Sequence, residues 1–69
     1  MTTISSTDNV FAVAHREGHE IFNFAGKGFT GIPDIVTRIR RGNPTPGMVT
    51  LTVRNSSRGW SQTRSIYLA

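Results

Sequence analysis

The chain contains no cysteine. That excludes a disulfide framework, a thiolate zinc site and a thiol nucleophile. Long apolar runs are also missing. The longest, Val10–Ala14, has five residues, where a membrane helix needs about 18. The polar stretch Met1–Asn9 has no charged region followed by an apolar one, so no signal peptide is read and the expected location is the cytoplasm. Acids are scarce: Asp8, Glu17, Glu20 and Asp34 are all there are, and none follows position 34.

What is present bounds the fold. Sixty-nine residues, 36% of them hydrophobic, suffice for one small domain with a modest core and do not suffice for two. The charge is lopsided. Residues 1–34 hold four acids against Arg16 and Lys27, whereas residues 35–69 hold Arg38, Arg40, Arg41, Arg54, Arg58 and Arg64 with no acid. The halves therefore carry −2 and +6. Such asymmetry points to an anionic partner, against the plainer reading of a solvated surface.

Met1–Asp8 is rich in Ser and Thr and reads as a flexible tail ahead of a domain at 9–69. Val10–Ala14 and Glu20–Phe24 read as strands. Gly18 closes a three-residue loop, Arg16-Glu17-Gly18, that pairs His15 with His19, Val13 with Ile21 and Ala12 with Phe22. Both faces of this hairpin then carry apolar side chains: Phe11, Val13 and Ile21 on one, Val10, Ala12, Phe22 and Phe24 on the other. Ile32, Ile35, Val36 and Ile39 fall at i, i+3, i+4 and i+7, the stripe of a helix resting on a core. That helix is expected over Ile32–Arg41, with Thr30 as N-cap, Pro33 in the first turn and Gly42 as the C′ residue. Met48–Val53 alternates strictly, and Trp60–Leu68 follows a glycine-closed turn. A four-residue loop sets Val49 opposite Ile66 and Thr52 opposite Thr63, leaving one apolar and one hydroxyl-lined face.

The order is β-β-α-β-β, and the expected fold is α+β: a four-stranded antiparallel sheet with one helix on one face. The expected core is Val13, Ile21, Phe29, Ile35, Val36, Ile39, Val49, Leu51, Val53 and Ile66.

Motifs for chemistry are thin. Gly26-Lys27-Gly28 fails the P-loop pattern, which needs Gly where Ile21 stands and Ser or Thr where Gly28 stands. A flexible connection is the plainer reading. His15 and His19 flank a turn without the zincin spacing and need a third ligand from Asp8, Glu17 or Glu20; two exposed histidines account for them as well. No metal, cofactor or small-molecule substrate is expected. With no Cys, scattered serines and no paired carboxylates, no catalytic residues are assigned and the chain reads as non-enzymatic.

Two partner classes remain. One hairpin face cannot be covered by a single helix, so a homodimer through the surplus apolar face is the first reading. Nucleic acid is the second, met by an anion-binding set of Arg40, Arg41, Arg54, Arg58, Trp60 and Arg64, in which cations meet phosphates and the indole stacks on a base. Arg58, in a turn, is expected to carry little packing. The β-β-α-β-β order itself implies no activity.

Overall fold

The computed structural model describes residues 3–68. Four strands and one helix follow in the expected order: β1 (Val10–Arg16), β2 (His19–Gly26), α1 (Ile32–Gly42), β3 (Gly47–Asn55) and β4 (Trp60–Leu68). The strands form one antiparallel sheet in the order β2-β1-β3-β4, so the two hairpins join through their first strands. The α+β expectation is borne out, with the helix on one face.

The second hairpin has the expected register. Val49 pairs with Ile66 and Thr52 with Thr63, without a break from Gly47–Leu68 to Asn55–Trp60. The first hairpin differs. Its loop is two residues, Glu17 and Gly18, both left-handed at φ 52° and 79°, so Arg16 pairs with His19. Two successive left-handed residues match the strand twist, as in a type I′ turn. The register then shifts between Ala14, opposite Phe22, and His15, opposite Glu20. Ile21 is the extra residue of this bulge and packs against the core as a half-buried side chain. The pairs expected from sequence, His15–His19, Val13–Ile21 and Ala12–Phe22, are each displaced.

The helix lies over Val10, Ala12 and Ala14 rather than over Phe11 and Val13. Both alanines are fully buried, and their small side chains leave room for Phe29, Ile35 and Ile39, also fully buried. Burying each such large side chain contributes about 1.5–3 kcal/mol. Val49, Leu51, Val53 and Leu68 complete the floor of the core. Of the other expected core residues, Val36 and Ile66 pack at its margin, and Val13 is buried on the opposite face.

The helix ends also depart from expectation. Gly31, not Thr30, is the N-cap and offers no side-chain bond. Asp34 reaches back instead, its Oδ2 accepting the Thr30 N–H at 3.2 Å. At the other end Gly42 is still helical and Asn43 caps, its Nδ2 donating to Ile39 O and Ile21 O at 3.2 Å each. One amide thus ends the helix and ties it to β2.

Thr3–Asp8, read from sequence as a tail outside the domain, packs on it. Ile4 is 6% exposed and belongs to the core. Gly28 N–H donates to Ser6 O at 2.9 Å, and Trp60 Nε1–H to Thr3 O at 3.3 Å. Met1 and Thr2 lie outside the described residues.

Candidate binding face

One sheet face is covered by the helix and the Thr3–Asp8 segment; the other is open. Strand alternation assigns the open face. Because Leu51 and Val53 point into the core, Thr50, Thr52 and Arg54 point away from it, and pairing carries this parity across the sheet. Four cross-strand rows result. The first is Ala25, Phe11, Arg54 and Ser61; the second Asn23, Val13, Thr52 and Thr63; the third Glu20, His15, Thr50 and Ser65. Met48 and Tyr67 pair at the far end.

The large apolar side chains that stay exposed among the described residues are Phe11 at 40%, Met48 at 56% and Tyr67 at 60%. All three are on this face, at its two ends. Hydroxyls occupy the middle, where Thr52 and Thr63 hydrogen-bond through Oγ1 at 3.2 Å. Val13 beside them is 9% exposed, shielded by its neighbours. Charge is sparse and balanced: Arg54 at one end and Glu20 towards the other, the latter accepting from Asn23 Nδ2 at 3.5 Å. At the Arg54 end is an open depression of about 600 Å³, lined by Phe11, Thr52, Arg54 and Ser61 of the face and by the following turn.

The six residues expected to meet an anion do not form one surface. Arg54 is on the open face. Arg64 lies opposite Leu51 and therefore projects on the helix side of the sheet. Arg40 and Arg41 are exposed in the last helical turn. Trp60 is half-buried against the core, its indole N–H held by Thr3 O. Arg58 is bound internally: Nε donates to Asp8 Oδ2 at 2.6 Å and Nη2 to Ser5 Oγ at 2.8 Å. Arg38 and Arg16, outside that set, are bound as well. Arg38 pairs with Asp34 at 3.4 Å and lies 4.5 Å from the Phe29 ring centre. Arg16 donates to Thr45 O and Pro46 O.

Asp8 organises the turn side of the molecule. Its Oδ2 also accepts from Asn55 Nδ2 and Ser5 N–H, both at 3.0 Å. These bonds, Asn55 foremost, then Ser5 and Arg58, pull its pKa from 3.8 down to about 2. They favour the ionised form because each donor faces the charged oxygen. This cluster escapes a sequence reading that treats Met1–Asp8 as a tail; the signal available was Ile4, an apolar residue in an otherwise polar stretch.

Among the described residues, no three His, Asp or Glu side chains gather to hold a metal ion, and no helix is long and apolar enough to cross a membrane. No protein-family model, no curated protein and no solved structure matches the chain.

Proposed function

We propose that the chain is a non-enzymatic protein-binding module that works through the open face of its sheet. The carrying observation is the placement of Phe11, Met48 and Tyr67 on that one face. A single exposed apolar side chain needs no explanation, whereas Met48 and Tyr67 are cross-strand neighbours on the same face as Phe11, and adjacent exposed apolar side chains mark an interaction site. The balance of charge on this face suits a protein surface better than a polyphosphate. Binding a phosphate chain needs clustered cations, and the arginines are divided between the open face, the helix side, the helix end and the Asp8 cluster.

The test separates binding from folding. A Phe11→Thr, Met48→Thr, Tyr67→Thr variant should melt within about 3 °C of the wild type at low micromolar concentration, since exposed positions contribute little to stability. A loss above ~10 °C would assign the three to the fold and overturn the reading. So would movement of β3 and β4 amides on titration with single-stranded or duplex DNA at about 50 mM salt, which would install nucleic acid as the partner.

A further inference from the structure

We infer that the partner of the open face is a second copy of this chain, packed sheet to sheet about a two-fold axis that runs across the strands. The inference rests on the open-face reading and adds the identity and orientation of the occupant.

Shape and size support a copy. Two facing sheets related by a two-fold must have the axis in the plane between them, and its two limiting directions run along the strands and across them. The three exposed apolar side chains sit at opposite ends of the face, with Arg54 and Met48 six positions apart on β3, about 20 Å in an extended strand. An axis across the strands, passing between the Thr52 and Thr50 rows, lays the Phe11 and Arg54 end of one copy on the Met48 and Tyr67 end of the other. This happens twice by symmetry. Tyr67 of the copy then stands over Ser61, where the 600 Å³ depression lies open beside Phe11 and Arg54. A projecting ring meets a hollow whose wall offers a guanidinium for its π-face. On β3 and β4 the middle rows bring hydroxyl against hydroxyl, and on β1 and β2 they set His15 over Val13 and Glu20 over Asn23 of the other copy. The two Arg54 side chains stay about 20 Å apart. The two Glu20 carboxylates, each half a row from the axis, are offset by about 7 Å along the strands, a repulsion that keeps the pairing weak and reversible. An axis along the strands would instead set the Met48 and Tyr67 pair against the polar Glu17–Glu20 hairpin end and leave the hollow without its ring.

Area is adequate. Four strands of seven, eight, nine and nine residues, about 4.8 Å apart, span roughly 19 by 23–30 Å in projection. With side-chain relief this comes within reach of the ~800 Å² per partner of a standard interface. The single chain is already compact, with 4197 Å² of accessible surface against about 4,300 Å² for a folded monomer of this mass. The pairing is therefore a reversible association of folded chains.

Two measurements test it. Sedimentation from 10 μM to about 1 mM should show a monomer–dimer equilibrium that Tyr67→Ala weakens at least tenfold, as for an aromatic anchor seated in a pocket. Arg64→Gln, on the other side of the sheet, should leave it within twofold. A monomer throughout overturns the second copy while the melting test of the open face stands. Orientation is read by mixing unlabelled Lys27→Cys chains carrying a nitroxide, placed beyond the Gly26 end of β2 and off the face, with ¹⁵N-labelled wild type. The absence of native cysteine makes the label unique. Broadening of Met48 and Tyr67 amides across the dimer supports the axis. Broadening of Ala25 and Ser61 amides overturns it.

Discussion

Arg58 Nε and Asp8 Oδ2 meet at 2.6 Å across fifty positions of sequence, joining the turn between β3 and β4 to the segment that precedes β1. Asn55, fully buried, supports the same oxygen through Nδ2 and accepts the Arg58 N–H through Oδ1. The cluster fastens the Thr3–Asp8 segment, and with it Ile4, over the open side of the core.

Arg58→Ala should therefore lower the melting temperature by several degrees, because it frees one anchor of a segment that carries a core residue. Arg64→Ala, exposed and without a partner among the described residues, serves as the control and should melt with the wild type. Equal melting of all three would show that the Asp8 pair contributes nothing.

The depressed pKa of Asp8 fixes the direction of an acid effect. The folded state binds this proton more weakly than the unfolded chain, so the stabilisation is fully present above pH 3.8 and is lost as pH falls towards 2. Melting temperatures measured from pH 5 to pH 2 should fall through that window in the wild type. Asp8→Asn should start lower and fall less. Parallel curves for the two proteins would contradict the assignment.

Glu17 is the one non-glycine residue with positive φ among the described residues, at 52°. A side chain is strained there, and Asn tolerates the region better than Glu. Glu17→Asn should stabilise the hairpin by about 0.5 kcal/mol, and Gly18→Ala should destabilise it by about 1 kcal/mol, both read from denaturant midpoints at unchanged slope. A destabilising Glu17→Asn would argue against the two-residue turn.

Ile35 is fully buried at the centre of the helix stripe. Ile35→Val should cost about 1 kcal/mol and leave a cooperative melt. Ile35→Asp should abolish folding, since an unpaired buried carboxylate costs several kcal/mol against a total of about 5. A cooperative melt of Ile35→Asp near the wild-type temperature would refute the packing of the helix.

The sequence by itself determined the parts that local periodicity encodes. The helix stripe of Ile32, Ile35 and Ile39, the alternation of Val49, Leu51 and Val53, and the β3–β4 register were legible because one face of each element is apolar and the other polar. In the first hairpin this signal is degenerate. Apolar residues occupy both faces, so the sequence does not say which is covered, and a single bulge at Ile21 reverses the parity of the pairing beyond it. Packing decided: the small Ala12 and Ala14 admit the helix, and Phe11 is left outside. The arginines were legible as a charge asymmetry and not as a surface, because Arg54 and Arg64 point to opposite faces by strand parity and Arg58 finds Asp8 only when the chain closes. The docking of Thr3–Asp8 depends on the same closure. Contacts across fifty residues arise from tertiary packing, where burial of Ile4 and pairing of Asp8 are gained together, and neither leaves a periodic mark on the chain.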